Sequence, residues 1–170
     1  MQPMERRLVL VRHAKSDWST AGQPDFARPL NDRGKRDAPV MGQRLKAKGV
    51  VPDLILASPA KRAATTAKLI AEAVGYDTEA IRWIEHLYHC PAAVFEEVLL
   101  TEDIPDEVKT VFIFAHNPGI THFANETTEG LNVDNIPTCG VVAVTFDAAH
   151  WSDYALVKHT LLFFDYPKNQ

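Results

Sequence analysis

Two arginines and two histidines stand in this 170-residue chain where their side chains could do chemistry. Arg12-His13 follows the apolar run 8–11, Arg62 comes shortly after Ser58-Pro59, and His116 follows the apolar run 110–114. An imidazole at a strand end can be a nucleophile, a base or a ligand, and a solitary one would as readily be a structural histidine. The company decides the reading. Two arginines and two histidines with no carboxylate among their motifs form a positive cluster that demands an anion, because guanidinium forks pair bidentately with oxyanions.

Each of these groups needs an element to carry it. Residues 7–11, leucine and β-branched, read as a first strand ending at Arg12. Residues 14–31 are polar and rich in Gly and Pro, a surface loop longer than most connections and hence a functional one. A helix is expected from Asn31 or Asp32, either able to cap it, to Lys48, with Gly49 closing it and Pro39 kinking it or marking its true start. Residues 53–57 read as a second buried strand. Ser58-Pro59 then supplies an N-cap and a first-turn proline for a helix to Val74, ended by Gly75. A weaker strand over 78–83 precedes a loop over 85–90 and a helix from Pro91 to about Leu100. The clearest strand, 110–114, leads through His116 to a short helix, and two strands over 141–146 and 155–163 finish the chain. Such alternation predicts an α/β fold: a single three-layer domain with a mostly parallel central sheet flanked by helices. Ligands in open α/β sheets sit beyond the carboxyl ends of the strands. Arg12-His13, the stretch 58–62 and His116-Asn117 all fall at that edge.

Composition narrows the function classes. With 46% apolar and 24% charged residues, the chain reads as one globular domain spanning residues 1–170, able to hold a core without disulfides or a structural metal. Cys90 and Cys139 stand far apart in no repeated spacing, which suits a reducing compartment. The apolar run near the start is short and ends in Arg12, so neither a signal peptide nor a membrane span is expected, and the chain reads as cytoplasmic. Residues 1–62 carry 13 Lys/Arg against 6 Asp/Glu, whereas residues 63–170 carry 5 against 16. The basic part lacks interleaved aromatics and the whole is acidic, so a compact anion site is expected and not a nucleic-acid groove.

The segments around these residues resemble the histidine phosphatase superfamily, and within it the short SixA-like phosphohistidine phosphatases. Leu10-Val11-Arg12-His13-Ala14-Lys15-Ser16 resembles the family's strand-RHG box with alanine in place of glycine. Arg28-Pro29-Leu30-Asn31, Ser58-Pro59-Ala60-Lys61-Arg62-Ala63 and Ala115-His116-Asn117-Pro118-Gly119 follow in the family's order, so the resemblance runs from Leu8 to about Phe146. It implies a phosphoglycerate-mutase-like fold and metal-independent phosphatase chemistry without a cofactor. His13 would take the phosphoryl group, Arg12, Arg28, Arg62 and His116 would bind its oxygens, and Ser16 and Asn117 would contact substrate. Physical chemistry agrees: phosphoryl transfer spreads negative charge over equatorial oxygens, which planar guanidiniums stabilise, and a neutral imidazole is a competent nucleophile near pH 7.

Members of the family that act on ordinary esters protonate the leaving oxygen with an acidic residue after the third strand. Glu85 is the candidate here and Asp17 the second choice. His86, His89 and Cys90 match no common zinc spacing, and His122 shares its helix with core positions. The resemblance implies a phosphorylated protein as partner, such as a phosphotransfer domain carrying phosphohistidine. A small-molecule phosphomonoesterase or mutase, a non-catalytic phosphate-binding module and a histidine metal site are the other readings.

Overall fold

A computed structural model describes residues 2–169. Ten elements form its frame: β1 (Met4–Arg12), α1 (Asp32–Ala47), β2 (Leu54–Ala57), α2 (Lys61–Val74), β3 (Arg82–Trp83), α3 (Ala92–Thr101), β4 (Thr110–Ala115), α4 (Gly119–Thr127), β5 (Val141–Ala148) and β6 (Thr160–Asp165). They make one six-stranded sheet in the order β3-β2-β4-β1-β5-β6. The first four strands run parallel, while β5 pairs antiparallel with both β1 and β6. The mixed α/β architecture, a central sheet with helices on its faces, is the one expected.

The layers follow from alternation along the strands. In β1, Leu8 and Leu10 enter a core shared with Phe95 of α3 and Phe123 of α4, whereas Val9 and Val11 enter one shared with Met41 of α1 and Ile70 of α2. β4 alternates in the same way, and all six of its residues are buried, which is why it reads as a continuous apolar run. Each such side chain taken out of water contributes about 1.5–3 kcal/mol, so the middle of the sheet is firmly placed.

Several element boundaries differ from expectation. β1 begins at Met4, ahead of the expected Arg7, because the Arg6 guanidinium is fully buried and donates to the carbonyls of Ala148, Asp106, Val108 and Ala149. Pro39 neither starts nor ends α1, which is capped at Asn31 by the bond from Gly34 N–H to Asn31 Oδ1. The carbonyl that loses its partner belongs to exposed Lys35, where water can serve. The expected strand over 155–163 is instead a 3-10 segment, Trp151–Leu156, followed by β6; Trp151 and Tyr154, three apart, are both buried beneath Phe146. Thr78–Ala80 is likewise a 3-10 turn, so β3 has only two residues.

The order of the sheet positions the site. β2, β4 and β1 are neighbours, with Ala57 beside Phe114 and Arg12 beside Ala115, so all three strands stop at one level. Backbone bonds from His13 N–H to Ala115 O (3.2 Å) and from Ser58 N–H to Phe114 O (3.0 Å) bring the next residues out side by side. No helix among the described residues is long and apolar enough to cross a membrane.

Candidate active site

His13, Ser58 and His116 therefore emerge from three adjacent strands, and α2 brings Arg62 to the same place one residue after its start. The ring centroids of His13 and His116 are 5.3 Å apart. His13 is at the expected strand end but recessed, with 7% of its surface exposed. Its Nδ1 lies 2.8 Å from the carbonyl oxygen of Ala14. A carbonyl only accepts, so Nδ1 carries the proton and the lone pair of the neutral ring sits on Nε2. Ala14, where glycine was the family's residue, is fully buried and its N–H donates to Thr66 Oγ1 at 2.9 Å. The methyl group is thus accommodated.

Three buried nitrogens around this histidine have no hydrogen-bond partner among the described residues: Arg12 Nε, Arg62 Nε and His116 Nδ1. Buried polar atoms without partners are rare and costly, and three of them on residues expected to bind one oxyanion mark a site shaped for it. Other atoms of these side chains are held by the protein. Arg12 Nη1 donates to Ile136 O at 2.9 Å, and His116 Nε2 is 2.8 Å from Ser58 Oγ. If the Ser58 hydroxyl donates to Nε2, the neutral His116 ring holds its proton on Nδ1, where an anion can receive it. Ser58 does not cap α2 as expected. The helix starts at Lys61, and Ser58 Oγ accepts from Ala60 N–H at 3.3 Å while serving His116.

Asp25 corrects the expectation of a cluster without a carboxylate. It opens the 3-10 turn Asp25–Ala27, three residues before Arg28, inside the loop that the sequence showed only as polar. Its Oδ1 accepts from Arg28 Nη1 at 2.5 Å, and its Oδ2 accepts from Arg62 Nη2 (3.0 Å), Tyr88 O–H (2.6 Å) and His89 Nε2 (2.7 Å). Its backbone carbonyl takes a further bond from Arg62 Nη1 at 2.7 Å. Burial alone would raise this carboxyl, but the bonds from Tyr88, His89, Arg28 and Arg62 hold it well below the usual carboxylate range. Its spacing from Arg28 is the one sequence signal that points to it.

The other expected residues divide. Arg28 is buried, stacked 3.6 Å beneath the Trp18 ring, and held by Asp25 and by Ser16, whose Oγ accepts from Arg28 Nε at 3.1 Å. Ser16 thus reaches the pocket through Arg28. Asn117 is engaged elsewhere: it donates to Asn135 and to Ile136 O and accepts from Thr121, so it fixes the carbonyl that also holds Arg12. Glu85 is exposed, and its side chain makes no hydrogen bond among the described residues, so it is not joined to the cluster. Asp17 folds back to accept from Ser19 N–H, which lowers its carboxyl. His89 is bound to Asp25, and Cys90 is buried with its thiol pushed up to about 11.

Electrostatics makes both central histidines neutral. Burial, then the guanidiniums of Arg62, Arg12 and Arg28, depress His13 to about 3, with the Ala14 carbonyl opposing them. Burial, then His13, Arg62 and His89, depress His116 to about 2. Both folded values lie below the ordinary value near 6.5, so as pH falls through 6.5 the unfolded chain takes up these protons and the folded chain does not. Stability is therefore expected to fall from about pH 6.5 toward about pH 3, by up to about 1.4 kcal/mol per pH unit for each ring. Urea unfolding at about pH 7 and about pH 5 checks this. The acid loss should shrink in His13→Ala, and an unchanged slope would contradict a buried neutral His13.

The chain matches the histidine phosphatase superfamily (branch 1) over residues 8–89. It is 33% identical over 168 residues to an uncharacterized protein of Mycobacterium tuberculosis, covering 93% of this chain and all of that one. An uncharacterized chloroplastic protein of Arabidopsis thaliana is 28% identical over 156 residues, 88% of this chain and 71% of that one. Among solved structures, a protein of Agrobacterium tumefaciens assigned as phosphohistidine phosphatase SixA superposes with a TM-score of 0.77 at 26% identity, covering 95% of this chain and 98% of that one. The protein histidine phosphatase SixA complexed with tungstate has the same TM-score at 20% identity, a likeness of fold, covering 96% and 98%.

Proposed function

Because the chain belongs to the histidine phosphatase superfamily and is a phosphatase, we propose that it works through a phosphohistidine on His13 Nε2 and that its substrate is phosphohistidine carried on another protein. The observation that carries the first part is the set of unpartnered buried nitrogens, Arg12 Nε, Arg62 Nε and His116 Nδ1, around a neutral imidazole with its lone pair on Nε2. A phosphoryl group there would satisfy all three, and its developing charge would be met by donors already in place. Arg28, held by Asp25 and Ser16, adds a cation at the edge of the same pocket.

The substrate reading rests on chemistry and on chain economy. Moving a phosphoryl group from one imidazole to another exchanges a P–N bond for a P–N bond. Between Arg62 and His116 the chain is taken up by α2, the two-residue β3, α3 and β4, with connections over 75–81, 84–91 and 102–109 that leave little chain for a lid to enclose a small ester. A phosphorylated histidine-containing phosphotransfer domain should therefore be hydrolysed with a higher kcat/KM than a panel of sugar and glycerate phosphates at equal pH. A tenfold preference for any of the small esters would overturn the substrate assignment and leave the phosphohistidine intermediate standing. That intermediate has its own check: mass spectrometry of enzyme quenched at alkaline pH should find the phosphoryl group on His13.

A further inference from the structure

In-line displacement places the leaving group opposite the attacking atom. His13 is buried, with only 7% of its surface exposed, so a leaving group opposite it departs toward solvent. The solvent-facing ring of the cluster is His89: its side chain is 49% exposed, and its centroid is 5.3 Å from that of His116 and 4.3 Å from that of Tyr88. We propose that His89, oriented by Asp25, is the proton donor to the leaving group and then the base that activates water, a role that rests on the phosphohistidine reading above.

Three observations converge on this. The carboxylate of Asp25 only accepts, and it also receives Arg62 Nη2 and the Tyr88 hydroxyl, so the 2.7 Å contact fixes the proton of His89 on Nε2 and leaves Nδ1 as the exchanging nitrogen. The same side chain is held in place at a backbone cost, because His89 adopts φ 51°, in the left-handed region that non-glycine residues seldom occupy and that gathers at functional sites. Its loop is also pinned: the first residue of α4 is Gly119, packed so tightly against the Cys90 carbonyl that no Cβ could be placed there. The loop bearing His89 and the strand end bearing His116 are thereby locked to each other.

The steps balance. In the first, Nε2 of His13 forms a bond to phosphorus as the bond to the leaving atom breaks, and cationic His89 gives its Nδ1 proton to that atom. In the second, a water oxygen attacks phosphorus, the P–N bond breaks, its electron pair returns to His13 Nε2, and the water proton passes to His89 Nδ1. Phosphate leaves and both rings regain their starting states. Asp25 is a positioning residue in this scheme: it orients the ring and offsets its charge, while Arg62, Arg28 and Tyr88 hold the carboxylate.

The test is the dependence of kcat/KM on leaving-group basicity, measured with p-nitrophenyl, phenyl and p-methoxyphenyl phosphates on the full chain. General-acid help is typically worth about 10²–10⁴, and it matters most for the poorest leaving group. The His89→Gln variant should lose at least tenfold more rate on phenyl and p-methoxyphenyl phosphates than on p-nitrophenyl phosphate, and free imidazole should restore rate to His89→Ala selectively on the poor leaving groups. Equal losses on all three substrates, or no loss on any, would overturn the assignment. A thermal melt of each variant separates misfolding from lost chemistry. His13→Ala run in parallel keeps the two readings apart: if it retains activity the phosphohistidine reading fails, whatever His89 does.

Discussion

Replacing His13 by alanine is expected to abolish turnover, by about 10⁴-fold or more, with the fold retained. Nε2 is the atom left free by the Nδ1 bond to Ala14 O, so its removal deletes the attacking electron pair while Arg12, Arg62 and His116 still offer their buried nitrogens to an anion. The ring borders the anion pocket, so its loss opens space that water can enter and does not hollow out the two apolar cores. Inorganic phosphate should therefore still inhibit or bind His13→Ala, and alkaline-quenched protein should carry no phosphohistidine. Wild-type rates in this variant would remove His13 from the mechanism altogether.

Replacing Arg62 by alanine is the second large effect, expected at about 10²–10³-fold in kcat/KM, the usual consequence of deleting one preorganised oxyanion donor. More than that donor is at stake. Arg62 is fully buried, and besides its free Nε it donates Nη1 and Nη2 to the carbonyl and carboxylate of Asp25, which in turn holds Arg28, Tyr88 and His89. Lysine should rescue little, because an ammonium cannot reach three differently directed acceptors as a planar fork does. The comparison to make is Arg62→Lys against Arg62→Ala, with phosphate inhibition as a second readout. Near-equal kcat/KM for lysine and arginine would show that charge alone suffices.

How much of this was legible beforehand differs by residue. Arg12, His13, Arg62 and His116 are visible because each abuts a strong strand or helix signal, and parallel strands end at one edge by construction. Asp25 was hidden because nothing in residues 14–31 has a period: its place depends on a short 3-10 turn and on partners at Arg62, Tyr88 and His89, remote in sequence. Ser58 was visible but misread, since Ser-Pro is a good helix start and only the contact with His116 shows the hydroxyl in use across the sheet edge. Arg6 hid the true start of β1 in the same way, because a buried guanidinium becomes plausible only once its four carbonyl acceptors are known.

The placing of β1 between β4 and β5 has a consequence in time. Val11 pairs with Phe114 on one side and Val141 on the other, so a strand made first waits for partners that leave the ribosome more than a hundred residues later. Contacts of such separation are slow to close, because the loop entropy must be lost before any pairing repays it. Until β4 slots between β1 and β2, Arg12 and Arg62 have no reason to approach one another, and their mutual repulsion opposes it. Catalytic competence is therefore among the last properties the nascent chain acquires. Recovery of activity during refolding should lag behind helix formation, and free phosphate, by bridging the two guanidiniums, should favour the assembled state over the open one.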